Sequence, residues 1–178
     1  MVKSSYQKKK ENTARVVGSG LPISTKDSLE ICNFIKRKNT KRVKADLEKV
    51  IDGKLVIPFK KYTQVAHKKG VGPGKTPIKA CKEFLSLVKE IEANAQYKGV
   101  SGDLKIVHAC ANKASTPWHF GRKRRRKTKR TNVEIIVEET KKKVQKEKKK
   151  APKEVKQESK KIEEPKAKEE NKKPQEEK

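Results

Sequence analysis

Aromatic residues are only 4% of this 178-residue chain and hydrophobic residues only 31%. That is thin for a globule of this length, so part of the chain is expected to stand outside any core. Long apolar runs are missing as well. The longest are a handful of residues, whereas a membrane-spanning helix needs about 20. The first eleven residues, Met1 to Glu11, are basic and no apolar stretch follows them, which argues against a signal peptide. Cysteine is scarce, odd in number and widely spaced: Cys32, Cys81 and Cys110. These points argue against a disulfide framework and for a reducing compartment, with the thiols used as small apolar residues. Acidic residues are few, 22 Asp plus Glu against 49 Lys plus Arg, for a formal net charge of +27. Charge of that size says little about fold and much about a polyanionic partner.

What is present divides the chain in three. Residues 1–12 form a basic N-terminal arm. Residues 141–178 carry 16 Lys and 9 Glu with no aromatic residue and no glycine, and are expected to be a disordered tail. Subtracting the tail's +7 from +27 leaves +20 on residues 1–140, so the part between arm and tail, residues 13–140, is strongly basic by itself. Three helices are expected there. The first opens at Ser24-Thr25-Lys26-Asp27, a capping-box-like start, and presents Leu29, Ile31, Cys32, Phe34 and Ile35. The second starts near Thr40, places Val43, Leu47, Val50 and Ile51 on one face and stops at Gly53. For the third, Thr76 is the cap and Pro77 the first helical residue, with a stripe of Ile78, Cys81, Leu85, Val88, Ile91 and Ala95 running up to Gly99.

Two strands follow. Leu104, Ile106, His108 and Cys110 alternate with Lys105, Val107, Ala109 and Ala111, and Val133, Ile135 and Val137 alternate in the second. Sequence neighbours commonly pair antiparallel, so residues 104–138 read as one long hairpin. Its apolar pattern stops beyond Ala114 and resumes near Asn132. The base suits a sheet, while the outer part, with arms reaching roughly 40 Å, projects.

Little chemistry of other kinds is on offer. Lys69 to Pro77 contains Gly74-Lys75-Thr76 after a glycine-rich run, but a phosphate loop needs glycine where Lys69 stands. An NTPase reading therefore fails, though a basic Gly/Pro loop entering a helix suits a backbone phosphate. His67, His108 and His119 stand apart from each other and from the cysteines in C-x-x-C or H-x-x-x-H terms, so no metal site is expected. No Ser/His/Asp or paired-carboxylate arrangement points to catalysis, and no cofactor is expected.

The basic residues carry the argument instead. Eight of the nine positions from Arg122 to Arg130 are Lys or Arg: Arg122, Lys123, Arg124, Arg125, Arg126, Lys127, Lys129 and Arg130. Arg15 near the N-terminus, Lys36 and Arg37 at the first helix–helix turn, Lys60, Lys61, Lys68, Lys69 and Lys75 in a long loop, and Lys113 add to them. Spread over loops and finger, they read as contacts to many phosphates. Pro117, Trp118, His119, Phe120 and Gly121 make the turn, where the rings suit stacking on unpaired bases. A DNA-compacting, chromatin-like protein is the alternative that charge alone permits.

The ordered stretches ISTKDSLEICNFIKRK, PFKKY, GPGKTPIKACKEFL, EANAQYKG, LKIVHACANKA, FGR and VEIIVEE resemble the ribosomal protein L-twenty-two family of the large subunit. The match is to the archaeal and eukaryotic form, in register from about Val16 to Glu139, with the insert Pro58 to Thr76 as its distinguishing part. The resemblance implies an α+β fold, three helices on a small three-stranded antiparallel sheet with a long protruding β-hairpin. It also implies binding of 23S-type rRNA, a part in subunit assembly, and a hairpin tip lining the polypeptide exit tunnel. Expected partners are that rRNA, neighbouring ribosomal proteins and the nascent polypeptide, in cytoplasmic ribosomes, with no homo-oligomer. The family's tip pattern P-R-A-x-G-R is here Pro117-Trp118-His119-Phe120-Gly121-Arg122, so only Pro, Gly and Arg persist.

Overall fold

Ser24 sets the start of the first helix. In a computed structural model, which describes residues 12–100 and 102–140, its hydroxyl accepts the Asp27 N–H at 3.4 Å. This meets one of the donors a helix start leaves without an internal partner. Helix α1 runs Thr25–Ile35. It buries Ile31, Cys32 and Ile35, with Leu29 and Phe34 packed at the margin. Helix α2, Thr40–Ile51, buries Val43, Leu47 and Val50, and Gly53 lies beyond its end at φ 77. Only glycine reaches that conformation without a Cβ penalty. Helix α3 runs Ile78–Tyr97.

The start of α3 differs from the expectation. Pro77 has φ −80 and ψ 73 and stands outside the helix as its cap residue, with no side-chain capping bond. Thr76 contributes its carbonyl to the Ile78 N–H at 2.9 Å rather than its hydroxyl as a cap. The buried stripe is Ala80, Cys81, Phe84, Leu87, Val88, Ile91 and Ala95. Stepping back by three and four residues from Phe84 leads to Ala80 and Cys81 and then to Pro77, so Ile78 falls off the stripe and is 47% exposed.

Six strands are found among the described residues: β1 (Thr13–Leu21), β2 (Ile57–Pro58), β3 (His67–Lys68), β4 (Gly72–Lys75), β5 (Asp103–Lys113) and β6 (Thr131–Thr140). Strands β1, β6 and β5 form an antiparallel sheet in that order. Its core face aligns Ala14, Val137 and Ile106, then Val16, Ile135 and Ala109, then Gly18, Val133 and Ala111. The helices cover this face. A Cβ on Gly18 would lie 2.9 Å from a Leu87 methyl, so the absence of a side chain there is what lets α3 approach β1.

Strand β5 does not alternate along its whole length. The pairing register with β6 shifts between Ile106 and His108, a bulge at Val107. One extra residue moves every later side chain to the opposite face. Leu104 and Ile106 point into the core, but beyond the bulge Ala109 and Ala111 take over that role. His108 and Cys110, read from the sequence as inward, lie half-buried on the outer face.

Residues 57–75 are also not a plain loop. Strands β2, β4 and β3 pair antiparallel into a second small sheet, with Ile57 opposite Lys75 and His67 opposite Pro73. No helix among the described residues is long and apolar enough to cross a membrane. The N-terminal arm up to residue 11 and the 141–178 tail lie outside the described residues.

Candidate nucleic-acid interface

Strands β5 and β6 pair from Asp103–Thr140 to Lys113–Thr131, and the basic run lies in the segment joining them. Pairing continues into that segment at intervals. Ala114 donates its N–H to Arg130 O at 3.0 Å, Thr128 to Pro117 O at 2.9 Å, and His119 to Arg126 O at 2.9 Å. The two sides are thereby held antiparallel up to a single 3₁₀ turn, Gly121–Lys123, which Gly121 enters at φ 65. Arg122, Arg124, Arg125, Arg126, Lys127, Lys129 and Arg130 are exposed. Arg122, Arg124, Arg125 and Arg126 line, with Gly121, an open concavity of about 650 Å³. None of them enters an ion pair among the described residues. Four guanidinium-bearing residues around one hollow repel one another in water, and the arrangement suits an anion with several charges.

The rings at the turn do not pack on one another. Lys127 places its ammonium 4.4 Å from the Trp118 ring centroid, across the bridge that pairs the two residues, a cation–π contact. Phe120 is 95% exposed. His119 and Pro117 are exposed, with backbone groups engaged as above.

Lys36 and Arg37 lie exposed in the turn between α1 and α2. Arg37 adopts φ 65, the sole positive value among described non-glycine residues. A side chain in that region costs about 1 kcal/mol or more, and two bonds to β5 hold it there. Arg37 donates its N–H to Ile106 O at 2.8 Å, and Ile106 donates to Lys38 O at 2.9 Å. The turn thus docks on the edge of β5 just before the bulge, and Lys36 and Arg37 are fixed to the strand that leads into the basic segment. Arg15 is exposed on β1, opposite Ile136, and Lys113 is exposed at the end of β5.

Lys60 and Lys61 sit in a loop that a buried acid organises. Glu30, 1% exposed on α1, accepts backbone N–H bonds from Lys60 at 3.2 Å, Lys61 at 2.7 Å and Tyr62 at 2.9 Å. Three convergent donors satisfy a carboxylate that burial would otherwise disfavour strongly. The ammonium of Lys26 lies 5.5 Å from the Tyr62 ring centroid on the same loop. Lys68 and Lys69 are exposed at and after β3. Lys75, expected at a phosphate, pairs with Asp27 at 3.2 Å. The glycine-rich stretch Gly72–Lys75 is the strand β4, in which a Cβ on Gly74 would fall 2.6 Å from Val56. An extended, paired backbone cannot wrap its N–H groups around a phosphate.

A family model described as ribosomal protein L22p/L17e matches residues 16–138. The chain belongs to that family. Among relatives, the large ribosomal subunit protein uL22 of Ignicoccus hospitalis is 38% identical over 146 residues, covering 75% of this chain and 92% of its own. The uL22 of Methanoculleus marisnigri is 39% identical over 139 residues, covering 72% and 91%. That of Archaeoglobus fulgidus is 37% identical over 151 residues, covering 78% and 97%.

In this L22p/L17e chain the matched span takes in α1, α2, α3, the second sheet, most of the first and the whole basic segment. The structure thus gathers Arg122 to Arg130 in one segment, and Lys36 and Arg37 at the edge strand leading to it. Lys60, Lys61, Lys68 and Lys69 belong to the second sheet and its loops. Sequence reasoning missed Glu30. On a helical wheel it looks like any solvated acid, and nothing near it in sequence hints at a loop thirty residues on.

Proposed function

We propose that the chain is a structural, non-enzymatic constituent of the large subunit in cytoplasmic ribosomes, and that it binds 23S-type rRNA. The observation that carries the reading is the hollow lined by Arg122, Arg124, Arg125 and Arg126, where exposed guanidiniums stand without counter-charges among the described residues. Phosphates answer that need, because Arg matches phosphate oxygens two at a time and releases condensed counterions on binding. Arg15, Lys36, Arg37, Lys60, Lys61, Lys68, Lys69, Lys113, Lys123, Lys127, Lys129 and Arg130 extend the contact. Lys75 contributes less, since Asp27 already meets part of its charge. Pro117 to Gly121, with Phe120 bare to solvent, face unpaired bases or the exit tunnel and the nascent polypeptide within it. Contact with neighbouring ribosomal proteins and a part in subunit assembly follow from the same placement.

The test is sedimentation with large subunits through a high-salt wash, paired with a competition between structured rRNA and duplex DNA. Retention on the subunit and preference for rRNA are expected. Equal displacement by duplex DNA would favour the DNA-compacting alternative, which predicts binding by charge alone.

A further inference from the structure

We propose that His108, Cys110 and Glu134 form a binding site for one divalent cation of the zinc class on the outer face of the β1–β6–β5 sheet. The nitrogen, sulfur and carboxylate donors of these three residues all lie within 4.8 Å of one another. The site exists because of the bulge. Without the register shift at Val107, His108 and Cys110 would point toward the helices. With it, the pair sits two residues apart on one face. Cys110 stands directly opposite Glu134, and His108 opposite Ile136, the residue two places along on the same face of β6. Two donors from one strand and one from its neighbour are set by backbone pairing rather than by flexible loops.

The donor chemistry fits one class of ion. Imidazole, thiolate and carboxylate together suit a borderline ion such as Zn²⁺ or Co²⁺ rather than Mg²⁺ or Ca²⁺, which take oxygen. Three protein ligands leave the fourth tetrahedral position to water. The thiolate and the carboxylate carry two negative charges, which balance the ion locally within a strongly basic protein. Binding displaces the Cys110 thiol proton to solvent, and replaces the present contact of Cys110 Sγ with Glu134 Oε2 at 3.8 Å. Donors bound to one ion stand roughly 3.5 Å apart, given bonds of 2.0–2.3 Å, so side-chain rotation alone closes the cluster. Glu134 is 7% exposed, already withdrawn from water. The other two cysteines cannot compete, because they are buried on the helical side and burial pushes both thiols up to about 12. Bound here, the ion ties β5 to β6 at the root of the basic segment.

The experiment is titration of the metal-free full-length chain with Co²⁺, followed by displacement with Zn²⁺. One Co²⁺ per chain is expected, with thiolate-to-cobalt charge-transfer absorption that Zn²⁺ abolishes. Cys110→Ser should remove the absorption and His108→Asn should weaken binding at least tenfold. A Cys32→Ala/Cys81→Ala variant should keep both. Zn²⁺ should raise the thermal midpoint of the wild type and leave that of Cys110→Ser unchanged. Absence of the absorption in the wild type overturns the proposal whatever the variants do. So does its persistence in Cys110→Ser, which would move the ion elsewhere.

Discussion

Glu30 on α1 accepts the backbone N–H of Lys61 at 2.7 Å, so the most buried acid among the described residues holds a basic loop. Lys60 and Tyr62 donate to the same carboxylate. Removing it leaves three N–H groups without their acceptor and a void in α1's packing. Glu30→Ala should cost about 2–4 kcal/mol, read as a lower denaturation midpoint, while Glu30→Gln, which keeps one acceptor oxygen, should cost less. Rapid amide exchange at residues 60–62 should accompany the loss. An unchanged midpoint in Glu30→Ala would mean that the loop keeps its shape without the acid.

The buried thiols set a second expectation. Burial pushes Cys32 and Cys81 from the ordinary 9.0 up to about 12. A folded-state value above the unfolded one stabilises the protein fully below pH 9, and that contribution is lost as pH rises from about 9 toward 12. The denaturation midpoint of the wild type should therefore fall faster between about pH 9 and 11 than that of Cys32→Ala/Cys81→Ala. Parallel curves would refute this linkage. In native protein at neutral pH, half-exposed Cys110 should alkylate well before the other two.

Much of this architecture was legible in the sequence where a local rule decided it. Ser24 and Gly53 bracket α1 and α2 because capping and left-handed backbone leave few residue choices. The limits of the basic segment, near Ala114 and Asn132, match the ends of β5 and β6 within a residue or so. What stayed hidden was set by pairing between distant residues. The bulge at Val107 leaves no mark in an otherwise regular alternation, so the sequence pattern puts His108 and Cys110 on the wrong face. Gly72-Pro73-Gly74-Lys75 has almost no intrinsic preference for a strand, and becomes β4 only because β2 and β3 flank it. Strand β1 was implied by the family resemblance, not by its own residues, where Gly18 and Gly20 interrupt the pattern. The ion pair of Lys75 with Asp27 joins residues that the sequence holds 48 apart.

Truncation after Thr140 should leave the thermal midpoint and rRNA docking unchanged. Among the described residues every core residue lies between Ala14 and Val137, and the removed Lys/Glu stretch holds no aromatic residue to bury. A fall of many degrees, or loss of incorporation into subunits, would assign the tail a structural part.

The basic segment divides two roles between its arginines and its rings. Arg124, Arg125 and Arg126 line the hollow and enter no ion pair among the described residues, so their part is phosphate neutralisation. Binding that releases counterions weakens with salt by about 0.7–0.9 log units per contact per decade. Replacing all three with Gln should weaken rRNA binding and reduce that slope by roughly two to three contacts. Trp118 and Phe120 carry no charge, so Trp118→Ala with Phe120→Ala should leave the slope nearly intact. One correction to that separation comes from Lys127, whose ammonium rests on the Trp118 ring. Loss of the ring frees this cation, so the aromatic double variant should keep or slightly steepen the slope, never flatten it. Its effect should appear in crosslinking of the turn to rRNA or to a nascent chain. An arginine triple variant with an unchanged slope would reduce the run to a solvated face and remove the main support for the proposed interface.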